Sequence, residues 1–161
     1  MQIDHALHFF AGIQQQLEQT LADVPDERWA EQPAGIRNHP AWTVGHLCCG
    51  QNLLLTMLGE KPTSPASWNE TMDYGTTPVA DRAAYPDSAT LLEHYAKGHQ
   101  AIASAVQNAS PETFAAQTPM EALRDFFPTV GHVASYMLLV HEATHFGQLL
   151  PWKRAAGLLD G

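Results

Sequence analysis

The chain has 161 residues, which is enough for one domain with a hydrophobic core and short for two, so we treat residues 1–161 as a single domain. Hydrophobic residues make up 45% of the chain and charged residues only 16%, as in compact proteins. The 17 acidic residues outnumber the 8 Lys and Arg, and the formal charge of −9 disfavours nucleic acid and anionic membrane surfaces as partners.

Three features of the sequence bear on its compartment. The amino-terminal residues lack a basic segment followed by an uninterrupted apolar one, so no signal peptide is predicted there. The longest apolar stretch, residues 47–58, contains Gln51 and Asn52 and is too short to cross a bilayer. Cys48 and Cys49 are adjacent and cannot build a disulfide framework. We therefore expect a cytoplasmic protein.

Apolar residues at helical spacing predict four long helices. In chain order these helices cover residues 4–22, 41–58, 88–108 and 129–156. Pro25 stops the first helix, Asp87 or Ser88 can cap the third, and Pro151 is expected to kink or interrupt the fourth.

The connections between these helices differ in length. Residues 60–85 form a long link rich in Pro, Thr, Ser and Gly, which is typical of a functional loop or of one that crosses the end of a bundle. The shorter link at 110–128 is predicted to include a helical turn at 121–126. No segment shows convincing strand alternation. The sequence predicts an all-α four-helix bundle with a long crossover connection.

Two histidines, His141 and His145, stand four residues apart in the fourth predicted helix. Four residues turn through about 400°, so both imidazoles lie on one face, as two ligands of a single ion require. That face is otherwise formed by Val130, Ala134, Met137, Leu138, Thr144, Gln148 and Leu149. Imidazoles at core positions need polar partners, and a metal ion can serve both; hydrogen-bonded core histidines are the alternative.

The pair belongs to the stretch His141–His145, which reads HEATH and matches the HExxH motif of zinc metalloproteases. In that class Glu142 would be the general base and a third ligand would follow downstream. No His or Glu follows His145, and Gln148 occupies the position of the glycine in the extended motif. The protease interpretation is therefore disfavoured.

A third ligand is then expected upstream, and His46 is the best candidate. It lies near the start of the second predicted helix, on an apolar face with Trp42 and Cys49. Gly45 and Gly50 flank it and would let a neighbouring helix approach closely. A core histidine bonded to a carbonyl is the alternative.

Two sequence elements now point to a family. Residues 42–47 read WTVGHL, and residues 141–149 read HEATHFGQL. Together they resemble the DinB-like superfamily of metal-dependent enzymes, which includes bacillithiol and mycothiol S-transferases and a mycothiol-dependent maleylpyruvate isomerase. The resemblance covers nearly the whole chain, including the helix lengths and the long link between the second and third helices.

This resemblance implies a fold, a site and an assembly. The fold would be a four-helix bundle of up-down-down-up topology, often assembled as a homodimer. The family's histidine triad maps onto His46, His141 and His145, and it would hold a divalent transition metal such as nickel or zinc. Gly147 and Gln148 match the GQ element that follows the last histidine.

Four further residues are candidates for this site. Glu142 lies about 60° around the helix from His145 and can act as a general base, orient a ligand, or simply face solvent or an interface. Cys49 can approach the metal, although a small buried residue is its simpler interpretation. Gln148 can hydrogen-bond a ligand, and His99 can serve as a ligand, a proton shuttle or a core histidine. His39 and His94, in contrast, are predicted to lie at the surface.

The functional hypothesis that combines these observations is a metal-dependent enzyme in which the His46, His141 and His145 triad activates a small thiol for transfer to an electrophile. Its small-molecule substrate includes a low-molecular-weight thiol. The first alternative is a metal-dependent hydrolase that uses water activated by the same ion. The second is a metal-binding or dimerisation module without catalysis. Dependence of the activity on thiol separates the first two hypotheses.

Overall fold

The computed structural model describes residues 3–159, and these residues form helices and no strand. The α-helices are α1 (Ile3–Leu21), α2 (Pro40–Met57), α3 (Asn69–Met72), α4 (Ser88–Asn108), α5 (Pro111–Ala115), α6 (Val130–Tyr136) and α7 (Glu142–Ala155). A π-helical turn, Met137–His141, joins α6 to α7 into one long helical segment. The predicted bounds of the long helices agree with the structure to within one residue at each end. Residues 1, 2, 160 and 161 of the predicted domain lie outside the described residues.

Capping residues account for where two of the long helices begin. His39 is the N-cap of α2, because its ring accepts a hydrogen bond from the backbone N–H of Trp42. Its side chain is fully buried, so the prediction of a surface histidine at this position is wrong. Asp87 caps α4 by accepting from the backbone N–H of Thr90, as one of the two predicted caps.

The fourth helical segment departs from its prediction. Pro151 lies inside α7, which continues to Ala155, so the proline does not interrupt the helix. The irregularity is the π-helical turn Met137–His141, in which the backbone widens. This turn changes the helical phase of the residues that follow it. Thr144, which was predicted on the apolar face, is therefore exposed, and Glu142 is buried.

The long connection between α2 and α4 is ordered by side chains from α2. Asn52 holds its first part: the carboxamide oxygen accepts from the backbone N–H groups of Thr63 and Ser64, and its nitrogen donates to the Ser64 carbonyl. Further along, Trp68 and Met72 are buried in the core. This connection therefore packs onto the helices and brings α3 next to α2.

The shorter connection between α4 and α6 contains α5, which the sequence analysis did not predict, and a 3-10 turn, Glu121–Leu123. The turn lies within the helical turn predicted at 121–126. An isolated β-bridge between Gln117 and Thr129 closes this connection. It brings residues 120–127 over the middle of the molecule, where they meet the site described below.

The centre of the fold is α2, whose residues from Pro40 to Asn52 are all buried. A helix buried on every side needs neighbours all round, and α2 contacts α3, α4, α6 and α7. The contact with α4 is close because position 98 is a glycine: a Cβ there would lie 1.9 Å from Oε1 of Gln51. Even with this apolar helix, residues 3–159 include no helix long and apolar enough to cross a membrane.

Candidate metal centre

The three histidines predicted as metal ligands come together in the structure. His46 projects from α2, His141 ends the π-helical turn, and His145 lies in the first turns of α7. The ring centroids are 4.7 to 5.1 Å apart, and one nitrogen from each ring lies within 4.8 Å of the others. This cluster can hold a metal ion.

Two of the three rings are fixed by hydrogen bonds at Nδ1. His46 Nδ1 lies 3.1 Å from the carbonyl oxygen of Met72, and His145 Nδ1 lies 3.2 Å from Oε1 of Gln148. Gln148 Oε1 also accepts from Nδ2 of Asn38 at 3.0 Å. Such outer partners are what orient histidines bound to metals.

These contacts also define which nitrogen can bind a metal. A carbonyl oxygen only accepts hydrogen bonds, so Nδ1 of His46 must carry the proton and Nε2 must carry the lone pair. The same argument applies to His145, whose partner is an amide oxygen. Nε2 of His46, which carries the lone pair, lies 3.1 Å from Nε2 of His141.

The distance between these two nitrogens suits a shared ion. Ligand nitrogens at about 2.0 to 2.1 Å from one ion, at angles between about 90° and 110°, are about 2.8 to 3.4 Å apart. The 3.1 Å between Nε2 of His46 and Nε2 of His141 falls within that interval. Imidazole ligands suit zinc, nickel, copper and iron, so the residues present fit a divalent transition metal.

The protonation states also favour metal binding. Burial lowers the pKa of His46, against the opposing effects of the Met72 carbonyl and the Asp73 carboxylate. Burial, together with the neighbouring imidazoles, lowers the pKa of His141 to about 3 and that of His145 to about 4. All three rings are therefore neutral at pH 7, which is the form that binds a metal.

The local sequence explains how His141 reaches the other two rings. Its ring packs against Gly50 of α2, where a Cβ would lie 3.0 Å from Cε1 of His141 and 2.7 Å from Cε of Met137. The π-helical turn Met137–His141 presents this ring to α2. Single π-helical turns inside α-helices are frequent at functional sites. The close approach that Gly50 was predicted to permit occurs here.

A cavity of about 790 Å³ lies beside the triad and is bordered by His46 and His141. Its other lining residues are Cys49, Gly50, Asn52, Leu53, Thr56, Pro62, Ala66, Asn69, Asp73, Tyr74, Met120, Leu123, Phe126, Phe127, Val133, Tyr136 and Met137. The walls are mostly apolar, and Tyr74 and Phe126 are 92% and 75% exposed at its mouth. The volume is that of a site for a small molecule.

Glu142, the predicted catalytic residue, is buried and contacts α2 and α4. Its carboxylate accepts from Nε2 of His99 at 2.7 Å, from the Tyr95 hydroxyl at 3.0 Å and from Nε2 of Gln51 at 3.3 Å. A solvent-facing side chain, one of the alternatives left open by the sequence, is therefore wrong. Its role as a general base stays a prediction.

The other candidates divide between the site and the core. His99 stacks on Phe10, with the ring centroids 3.8 Å apart, and its Nε2 hydrogen-bonds to the Glu142 carboxylate. It is therefore a core histidine. Cys49 lines the cavity, and burial raises the pKa of its thiol to about 12, which keeps it neutral. Gln148 contacts His145 directly, as a hydrogen-bonding residue at the site.

The sequence analysis missed two features of the site. One is Asp73, which directly follows α3 and lines the cavity. The other is the Met72 carbonyl that orients His46. Only the length of the 60–85 link, which was predicted to carry function or to cross the end of the bundle, pointed to this region.

The chain is helical, and three neutral imidazoles meet beside an apolar cavity. These features indicate a helical protein with a three-histidine site that can hold a metal. The sequence profile of the DinB superfamily matches residues 10–149. The chain therefore belongs to the DinB superfamily, as its two histidine elements predicted. Comparison with curated proteins and with solved structures gives no match.

Proposed function

We propose that this protein is a metal-dependent enzyme that activates a small thiol for transfer to an electrophile. His46, His141 and His145 would hold a divalent transition metal, nickel or zinc by the family resemblance. The observation that carries the proposal is the convergence of three neutral imidazoles at the edge of a cavity of about 790 Å³.

The chemistry follows from the donor set. A divalent ion bound by three neutral imidazoles keeps its positive charge and lowers the pKa of a thiol that binds beside them. The residues of the chain hold the site in place: the Met72 carbonyl orients His46, and Gln148 orients His145. The mostly apolar walls would give the thiol and its electrophile an apolar surface to pack against.

Glu142 enters this proposal through its position next to His141. Three donors from α2 and α4 fix its carboxylate, so it anchors the backbone next to the ligand His141. The general-base role predicted from the sequence is the alternative for this residue. A variant described in the Discussion separates the two roles.

Fold topology, assembly and compartment complete the proposal. We infer that residues 1–161 form one domain in which α1, α2, α4 and the segment from α6 to α7 make an up-down-down-up four-helix bundle, with 60–85 as its long crossover. Homodimer formation and a cytoplasmic location are proposed with it. The family resemblance supports the homodimer, and the adjacent free cysteines Cys48 and Cys49 support the location.

The first experiment measures the metal content of the purified, untagged protein beside the His145→Ala variant. We expect about one equivalent of a transition metal in the parent and its loss in the variant, because two imidazoles hold an ion poorly. His132→Ala is the matched control, because His132 is exposed and contacts Thr129 rather than the triad. A parent that takes up no added metal would contradict the proposal.

The second experiment tests the reaction. The metal-loaded protein is incubated with an electrophile such as 1-chloro-2,4-dinitrobenzene, with and without a thiol, and the thioether is measured. Formation that requires both the thiol and the triad supports S-transfer. Turnover of ester substrates that is independent of thiol would instead favour the hydrolase, and no turnover with metal bound would favour the non-catalytic module.

A further inference from the structure

The described side chains that line the cavity carry a negative charge that no Lys or Arg among them balances. Among the described residues that line it, Asp73 is the one carboxylate, and no Lys or Arg is present. Asp73 is half-buried, and its Oδ1 accepts from the backbone N–H of Tyr74 at 2.7 Å. The net charge of −9 adds a negative field at longer range.

The cationic side chains that neighbour the lining residues in sequence do not face the cavity. Arg124 follows the lining residue Leu123, but its Nε donates to the Thr118 carbonyl at 2.9 Å and its Nη2 to the Pro119 carbonyl at 3.4 Å. Lys61 precedes Pro62 and is exposed to solvent. An anionic group inside the cavity would therefore find no side-chain cation there.

The remaining walls of the cavity are mostly apolar. Phe126, Phe127, Tyr136, Met120 and Met137 supply aromatic and thioether surface. Aryl or alkyl groups gain by burial against such surface, whereas a carboxylate loses its hydration and gains no ionic partner. Like charges at short range add a further unfavourable contribution, in this case from Asp73.

We propose that this cavity selects ligands that have a neutral, apolar body and rejects ligands whose body carries a carboxylate or a phosphate, with Asp73 as a specificity-determining residue. The proposal rests on the proposed function for the identity of the reacting group: the thiol would act at the triad, and the neutral body would occupy the apolar walls. The selectivity itself belongs to the cavity and does not require the metal.

The test compares two ligands of similar shape, 4-phenylbutanamide and 4-phenylbutanoate, by calorimetric titration at pH 7.5 and low salt. It uses the protein as purified and the same protein after removal of metal with a chelator. In the chelated protein we expect the neutral amide to bind about tenfold more tightly than the carboxylate, because the anion meets Asp73 without a cation. The carboxylate can also reach a metal ion, so the chelated protein gives the cleaner comparison.

Two variants with the same charge change locate the effect. Asp73→Asn should bring the two affinities to within about threefold of each other, because it removes the like charge. Glu70→Gln, in the same short helix α3 but exposed and outside the cavity lining, should leave the tenfold ratio unchanged. An unaltered ratio in Asp73→Asn would overturn the assignment of the selectivity to that residue.

The remaining outcomes also decide the proposal. Equal or tighter binding of the carboxylate to the chelated protein would overturn it, and so would the absence of measurable binding by both ligands. A protein that binds no metal but discriminates between the ligands would refute the proposed function and leave this selectivity standing. The experiments can therefore refute one of the two proposals without refuting the other.

Discussion

His46 Nδ1 donates a hydrogen bond to the carbonyl oxygen of Met72, over a distance of 3.1 Å. This contact joins the central helix α2 to the short helix α3 in the long connection. It fixes the orientation of the imidazole and leaves Nε2 free toward His141. The connection is therefore part of the candidate metal centre, because its backbone determines which nitrogen of His46 can bind a metal.

A first prediction concerns Gly45, which faces Met72. A Cβ at position 45 would lie 1.9 Å from Sδ of Met72, so Gly45→Ala must displace this side chain. Met72 is only 1% exposed and its side chain is enclosed by the core, so we expect the backbone carbonyl to shift with it. We expect the metal affinity to fall about 10- to 100-fold, which is the typical effect of losing a hydrogen-bond partner of a metal ligand. Competition with a chelating dye measures the affinity, and circular dichroism checks that the helices remain.

The matched control for this variant is Gly12→Ala in α1. A Cβ there meets nothing within 4 Å, so the helix gains alanine's better propensity without a clash. The metal affinity of Gly12→Ala should equal that of the parent. If Gly45→Ala also binds metal as tightly as the parent, the Met72 contact does not tune the site.

A second prediction concerns Gln148. Gln148→Leu removes the acceptor of the His145 Nδ1 proton and leaves Nδ2 of Asn38 without its partner. We expect a loss of metal affinity of about 10- to 100-fold, with His145 still present to coordinate. Gln107→Leu, at an exposed position of α4, is the control and should bind as the parent does. Equal affinity in the Gln148 and Gln107 variants would show that Gln148 does not support the site.

The triad could be predicted from the sequence because each histidine is marked by a pattern within its own helix. His141 and His145 are related by the helical period, and His46 lies on an apolar face of its own helix, so patterns of a few residues were sufficient. All-helical structure and the bounds of the long helices follow from the same periodicity.

The burial of His39 and Glu142 was not predicted, because it depends on features that a local pattern does not contain. His39 is buried because the Val79 carbonyl, forty residues later, lies 3.0 Å from its Nε2. The burial of Glu142 depends on the π-helical turn Met137–His141, which changes the phase that a regular helix would give. Apolar residues spaced at a period of 3.6 reveal a regular helix. They reveal neither the fold of an irregular connection nor a π-helical turn.

A third prediction separates the two roles of Glu142. In Glu142→Gln, the carboxamide offers only one oxygen to the donors of His99, Tyr95 and Gln51. We expect the free energy of unfolding to fall by about 1–3 kcal/mol, because buried donors lose a charged acceptor. Metal content should be retained. Urea titration and elemental analysis measure these quantities.

The same variant tests the catalytic role. If Glu142 positions His141 by anchoring the adjacent backbone, kcat of the metal-loaded variant should remain within about tenfold of the parent. A loss of kcat above about 100-fold at full metal occupancy, with stability unchanged, would assign it the general-base role instead. Glu93→Gln, an exposed carboxylate of α4, controls for the change of charge and should alter neither quantity appreciably.

A fourth prediction concerns the pH dependence of stability. Burial lowers the pKa of His39 from 6.5 to about 4, so the folded protein keeps this ring neutral where the unfolded chain protonates it. The unfolded state then binds more protons, and the free energy of unfolding decreases as the pH falls from 6.5 toward 4. His39 alone should account for a loss of about 3 kcal/mol across that interval.

His39→Asn isolates this contribution from that of the triad. Asparagine is a good N-cap, so its side chain can still accept from the backbone N–H of Trp42 while the titrating ring is removed. We expect the variant to be less stable than the parent at pH 7, because the contact with the Val79 carbonyl is lost, but to lose about 2 kcal/mol less on acidification to pH 4.5. Urea unfolding of the metal-free proteins at pH 7 and pH 4.5 measures both quantities. A variant whose stability falls as steeply as that of the parent would show that the proton uptake on unfolding occurs at other groups.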